Sequence, residues 1–310
     1  MQNIGQLRNA KGSAGGVSSR RRLDLQGSAL MVLFCLALGA QQVAIKMVAA
    51  DIPPLAQVAL RSFLAALLVA GLVCRQGIGM ADLRAHLGPG ILVGLGFAAN
   101  FVFIAWGLNY TLASHMSVFL YTAPIFTAMG LHLWVPGEQL TRHQWIGVAL
   151  AFGGMVLAMA PATGIDKAGD ILWGDFLGLL SGLTWATTTL VIRRSSLSEA
   201  PPVQTLCYQL TITGLLLLPA SALLGDLGRI QFTGVAIASL AFQTLVISFA
   251  ALLLWFTLLR RYLASQLGIF SFLSPVFGVL FGALLLGEPL TINFLAGGVA
   301  LLIGLLMVTR

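Results

Sequence analysis

The sequence predicts an all-α integral membrane protein of ten transmembrane helices, built as two inverted five-helix repeats around a central cavity. Three observations predict it. Hydrophobic residues make up 58% of the chain and charged residues only 9%. Apolar runs of about 20 residues, the length a helix needs to cross a bilayer core, recur from end to end. The second half also echoes the first. Tyr110-Thr-Leu-Ala-Ser114 returns as Arg261-Tyr-Leu-Ala-Ser265, Pro124 as Pro275, Gly137-Glu138 as Gly287-Glu288, and Leu140-Thr141 as Leu290-Thr291. Duplication within an apolar chain is how many transporters build two halves that rock about a site at the bilayer midplane.

Residues 1–26, rich in Gly, Ser and Arg, read as a disordered cytoplasmic tail. Arg20-Arg-Arg22 ahead of an apolar run also has the look of a secretory signal, with Ala37-Leu-Gly39 as a weak cleavage site, but the repeat requires this first helix. The first repeat, 27–160, contains apolar runs at 27–48, 55–74, 89–108, 112–134 and 142–160. A linker at 161–172 carries Pro, Gly, Asp and Lys. The second repeat, 173–310, follows with runs at 173–192, 203–224, 234–257, 263–286 and 291–308. No connection is long enough to hold a soluble domain.

The net charge of +7 is distributed as cytoplasmic retention of Lys and Arg requires, so it implies no nucleic-acid partner. With the amino terminus inside, 13 basic residues fall inside and three outside, namely Lys46, Lys167 and Arg229. Arg61 alone lies within a span. Both termini are therefore expected in the cytoplasm of a cell whose inner membrane the protein crosses. Five helices per half is odd, so the second repeat enters the membrane in the opposite sense to the first. Cys35, Cys74 and Cys207 are isolated in apolar stretches, which indicates neither a disulfide framework nor a metal site.

Ala-Ser at the start of the fourth and ninth spans, Pro124 and Pro275 within them, and Gly-Glu-x-Leu-Thr after each resemble the drug/metabolite transporter (DMT) superfamily, in its ten-helix EamA branch. Lys46, Pro53-Pro54 and Arg61-Ser-Phe-Leu-Ala65 fit the same pattern, and the resemblance covers nearly everything after residue 27. It implies a bundle in which spans 1–4 and 6–9 enclose a substrate cavity while spans 5 and 10 lie at the periphery. It further implies export of amino acids, metabolites or toxic organic compounds, aromatic amino acids being the cargo of one branch.

Polar groups in hydrocarbon are costly, and those that persist face the bundle interior or a watery cavity. On that ground Gln42, Asn100, Trp106, His115, Tyr121, Trp185, Gln243 and Ser271 are the candidate substrate contacts. His115 is the one deep group expected to titrate near neutral pH; it either bonds a neighbouring helix or meets substrate. Pro124 and Pro275 each free carbonyls in the preceding turn, as a gate or as a packing kink. Arg61 needs a partner, for which Asp51 or a lipid phosphate could serve, and is read as an anchor, a gate or an anion contact. Glu138 and Glu288 fall in turns and are expected at helix ends. Trp106 has an alternative explanation at the membrane interface, whereas Trp185 is deeper. Thr141 and Gln144 form a capping box for the fifth span. Gly90-x-x-x-Gly94, Gly174-x-x-x-Gly178-x-x-x-Gly182 and Gly278-x-x-x-Gly282 let helix backbones approach closely.

No Asp or Glu lies in the middle of an apolar run, which argues against proton-coupled cation antiport. There is no Walker motif, no cluster of metal ligands and no nucleophile beside a base, so neither a cofactor nor enzymatic activity is expected. Gly94-x-Gly96-x-x-Ala99 has dinucleotide-fingerprint spacing but lacks the preceding strand. The resulting expectation is an exporter of small amphipathic metabolites, chiefly amino acids, aromatic ones included. It would work by alternating access as a facilitator or exchanger, monomeric or homodimeric in the bilayer. Efflux of organic cations by proton antiport is the alternative, and a membrane receptor or scaffold the reading outside transport.

Overall fold

The computed structural model describes residues 24–134, 140–158, 168–262, 267, 270, 271 and 273–309, and the described residues are helices joined by short turns. α1 (Leu25–Met47) starts where the Asp24 carboxylate accepts the Gly27 N–H at 2.7 Å, which satisfies one of the free donors of a helix amino terminus. α2 (Pro54–Arg75) and α9 (Pro202–Leu223) start alike, each with Pro at its first position behind a second Pro. Proline is pre-set for that position and has no N–H to leave unpaired. The repeated Pro-Pro pairs of the sequence thus start equivalent helices.

Between them lie a short α3 (Met80–Ala85), α4 (Leu87–Gly107), α5 (Ala113–Leu120), α6 (Ala123–Trp134), α7 (Arg142–Ala158) and α8 (Ala168–Arg194). After α9 come α10 (Gly234–Ala241), a π-helical stretch at Phe242–Ala251, α11 (Leu252–Arg261), α12 (Leu273–Leu286) and α13 (Ile292–Thr309). Among the described residues, seven helical stretches are long and apolar enough to cross a membrane, and Leu273–Leu286 and Ile292–Gly304 are shorter apolar helices. The expected capping box forms: Thr141 N–H donates to Gln144 Oε1 at 2.9 Å, and Gln144 N–H donates back to Thr141 Oγ1 at 3.3 Å.

Three elements differ from the sequence expectation. The fourth span is two helices, because Pro124 has no N–H to return to Leu120 and the chain leaves the helix at Tyr121–Thr122. The eighth contains a ten-residue π-helical stretch, which periodicity cannot reveal. The sixth begins at Ala168, inside the expected linker, with Asp170 in its first turn where a negative charge favours a helix start. The tail at 1–23, linker residues 161–167 and the turn holding Glu138 lie outside the described residues.

Packing partners recur in matched pairs. α2 packs on α9 and α7 on α13, while α1 meets α12 as α8 meets α5. α4 meets α8 and α9 as the π stretch meets α1 and α2. α5 sits in the middle, with all eight of its residues buried. The small residues permit these approaches. A Cβ on Gly94 would meet Ile212 at 2.5 Å, one on Gly174 the Thr111 backbone nitrogen at 2.6 Å, and one on Gly278 the Ser117 hydroxyl at 2.2 Å. The outer faces carry exposed Leu, Ile and Val, as surfaces against lipid tails do.

Candidate functional site

A cavity of about 480 Å3 lies among α1, α2, α4, α5, α8, the π stretch and α11. Like small-molecule sites in general, it combines apolar walls with a few polar groups. Leu38, Gln41 and Gln42 enter from α1, Arg61 from α2, and Phe97, Asn100, Phe101 and Ile104 from successive turns of α4. Leu120 and Tyr121 arrive from the broken end of α5, Trp185 from α8, and Ile247, Ser248 and Leu252 from the wide turns of the π stretch and the helix after it. α1, α2, α4 and α5 belong to the first half of the chain, and α8, the π stretch and α11 to the second.

Local structure aims these side chains. The Pro124 break carries Tyr121 to the cavity, where its ring meets Trp185 edge-to-face at 5.7 Å. The Phe119 carbonyl at the break accepts the Thr122 hydroxyl at 2.7 Å, and Gly182 of α8 lies against it. The break is therefore closed by packing, and what it delivers to the site is a side chain. Asn100 is fixed by its Nδ2, which donates to both the Ser181 carbonyl and the Ser181 hydroxyl at 2.8 Å.

Arg61 is fully buried. Its guanidinium lies over the Phe101 ring at 4.9 Å, a cation–π contact, and its Nη1 is 3.5 Å from Gln243 Oε1. A ladder of amides stands behind it. Gln243 Nε2 donates to Gln57 Oε1 at 2.7 Å and to Ser239 Oγ at 3.1 Å, and Gln57 Nε2 donates to the Ile45 and Ile52 carbonyls at 3.0 and 2.8 Å. Asp51, expected as a partner for Arg61, instead accepts the Thr233 hydroxyl at 2.7 Å.

A second polar cluster joins helix ends away from the cavity. Asp175 of α8, 1% exposed, accepts His115 Nδ1 at 2.9 Å and the Thr111 hydroxyl. Lys46, near the end of α1, donates to the Thr111 carbonyl, and Glu288 and Asp175 are the carboxylates whose fields reach its ammonium. Glu288 follows Gly287, whose φ of +64° turns the chain sharply after α12. Its two carboxylate oxygens accept the Ala113 and Ser114 N–H groups at 2.6 and 2.9 Å, capping α5 from the opposite half of the chain. Removing this cap with Glu288→Ala is expected to lower stability by about 1–2 kcal/mol, and an unchanged melting midpoint in detergent would refute the cap.

Of the expected substrate contacts, Gln42, Asn100, Tyr121 and Trp185 come together around the cavity. Gln243 stands behind Arg61 and supports it. Ser271 is buried outside the lining. Trp106 lies apart from the cavity: it is 50% exposed near the end of α4, where an interfacial Trp is at home. His115 bonds a neighbouring helix. It is stacked on Phe294 at 4.1 Å and committed to Asp175, so it serves the helix-end cluster and not the cavity. Pro275 is buried within α12. Arg61, read chiefly as an anchor, lines the cavity. Asp175 escaped notice because it lies close to the start of an apolar run, where a carboxylate ordinarily reaches water. Its one sequence signal is that Trp173, Phe176 and Leu177 surround it.

The EamA-like transporter family matches residues 25–160 and again 172–310. A probable amino-acid metabolite efflux pump of Salmonella typhimurium is 29% identical over 286 residues, which cover 89% of this chain and 92% of that protein. The uncharacterized transporter YoaV of Bacillus subtilis is 25% identical over 86% of this chain and 91% of its own length. With YvbV of the same organism, also an uncharacterized transporter, identity is 30% over 191 residues, 62% of this chain and 61% of that one. A crystal structure at 15% identity superimposes with a TM-score of 0.66 over 91% of this chain and 96% of that one, and so shares its fold.

Proposed function

The chain belongs to the EamA-like transporter family of the DMT superfamily, and on that footing we propose that it exports small amphipathic metabolites, amino acids and their derivatives foremost, across the inner membrane. The observation that carries this reading is the cavity, walled by both halves of the chain and lined by amide and aromatic side chains. The relatives described as probable amino-acid metabolite efflux pumps support the substrate class.

The proposed architecture is ten spans in two inverted repeats, with both termini cytoplasmic. The matched packing pairs and the two tandem family matches support it. Alternating access would then proceed by rocking one repeat against the other around the cavity. The helix-end cluster of Lys46, Thr111, His115, Asp175 and Glu288 would close one face: in that topology all five lie at the outer ends of their spans. The cluster joins α1 and α5 of the first half to α8 and the end of α12 of the second.

Transport of aromatic amino acids and their derivatives into or out of liposomes tests the reading. We expect saturable flux, reduced about tenfold or more by Trp185→Ala, since buried aromatic anchors carry much of a site's binding energy. Trp106→Ala should leave flux unchanged, because that ring faces outward. Equal effects of the two substitutions would remove the cavity from the pathway. Saturable flux of organic cations alone would favour drug efflux instead.

A further inference from the structure

Among the described residues that line the cavity, Arg61 is the one whose side chain carries a formal charge. It is 0% exposed, and its Nε and Nη2 have no hydrogen-bond partner among the described residues. Its third nitrogen, Nη1, reaches only a neutral amide, at 3.5 Å. A guanidinium does not shed its proton to escape such a place, and an isolated buried ion is among the most costly groups a protein can hold. Nε and Nη2 form one edge of the guanidinium fork, the edge that grips a carboxylate with two parallel hydrogen bonds.

No described acidic residue satisfies it. The sequence has ten, and none falls in 263–266, 268, 269 or 272, the undescribed positions of the ninth span. Asp175 is committed to His115 and Thr111, and Glu288 to the start of α5. The described lining of the cavity therefore offers a bidentate cation and no anion. A zwitterion bound at Arg61 would leave its ammonium with neutral groups such as Gln42 Oε1, an acceptor that itself lacks a donor. A monocarboxylate would leave the cavity neutral. Its apolar body would lie along Phe97, Phe101 and Trp185.

We propose that Arg61 is the carboxylate-binding group of this cavity, and that the protein takes organic monoanions with an apolar or aromatic body in preference to zwitterionic amino acids and to cations. This rests on the transporter reading and narrows its substrate class to the deaminated, acidic derivatives.

Three ligands with one phenylalkyl skeleton isolate the charge: 3-phenylpropionate, phenylalanine and phenethylamine. Binding is measured by titration calorimetry on the purified full-length protein in detergent. We expect 3-phenylpropionate to bind about tenfold or more tighter than phenylalanine, the difference a charge-assisted bond uncompensated by a second charge supplies, and phenethylamine to give no heat. Arg61→Gln should abolish the preference for the acid, and Arg61→Lys should retain it in weakened form. The wild-type ranking needs no variant, so misfolding of Arg61→Gln would not spare the proposal. It is overturned if phenylalanine or the amine binds as tightly as the acid, if none of the three binds, or if Arg61→Gln keeps the preference. The expected ranking without flux in liposomes would defeat the transporter reading alone. Saturable phenylalanine flux with no competition from 3-phenylpropionate would defeat the carboxylate site alone.

Discussion

Asp175→Ala is expected to lower the stability of the folded protein by about 3–5 kcal/mol, the cost of deleting one partner from a buried ionic cluster. Three groups lose a partner at once. The Thr111 hydroxyl and His115 Nδ1 both bond this carboxylate, and the Lys46 ammonium keeps only Glu288 nearby. Water cannot replace what Thr111 and His115 lose, because Asp175 is 1%, Thr111 0% and His115 7% exposed. Asp175→Asn preserves shape and an acceptor oxygen, so its loss should be smaller. Melting curves in detergent read the difference, and a midpoint for Asp175→Ala equal to that of the parent would show that the cluster holds nothing together. Under the proposed topology the same variant should also change transport kinetics, because the cluster joins the two halves at the outer face.

A methyl group at Gly297 should separate two helices. α7 and α13 touch backbone to backbone, and a Cβ at Gly297 would stand 2.4 Å from both the Ala158 nitrogen and the Gly154 oxygen. Neither atom can rotate away, as the end of a side chain could, so Gly297→Ala is expected to cost about 1–3 kcal/mol through overpacking. The adjacent Gly298 supplies the control, since nothing lies within 4 Å of its Cβ position. Gly298→Ala should be neutral or stabilise by up to about 1 kcal/mol, by removing the backbone entropy of a helical glycine. Gly153 and Gly154 on α7 repeat the contrast, with open space at the first and the Gly297 carbonyl at 2.6 Å from the second. Equal melting midpoints for Gly297→Ala and Gly298→Ala would mean that these helices do not pack through these glycines.

Much of the helical framework was legible in the sequence because each signal for it is local. A run of apolar residues is a span whatever it packs against, and Pro53-Pro54 and Pro201-Pro202 start helices by their own dihedral restrictions. Thr141 and Gln144 cap α7 from three residues apart. The π stretch left no such trace, because Phe242–Ala251 differs from an α-helix in hydrogen-bond register alone.

The site was legible only as a set of residues that hydrocarbon would not tolerate on the outside. Polarity marked Gln42, Asn100, Tyr121 and Arg61, and all four reach the cavity. It marked His115 and Ser271 equally, and neither does. Trp106 and Trp185 show the limit most plainly. Both are Trp in apolar helices, yet one is 50% exposed at the surface and the other faces Tyr121 across the cavity. With apolar residues all round a membrane helix, periodicity does not say which face is turned inward.

By itself, then, the sequence determined the membrane class, the helical framework and the doubling of its signature motifs, since these follow from the solvation of single segments and from comparing the chain with itself. The tertiary structure decided which polar groups share a space. That decision depends on helices far apart in sequence: Arg61 beside Gln243, Asn100 against Ser181, and His115 on Asp175. Among the described residues it left one buried cation facing a cavity without an anion, a property of the assembled bundle that no stretch of the chain carries alone.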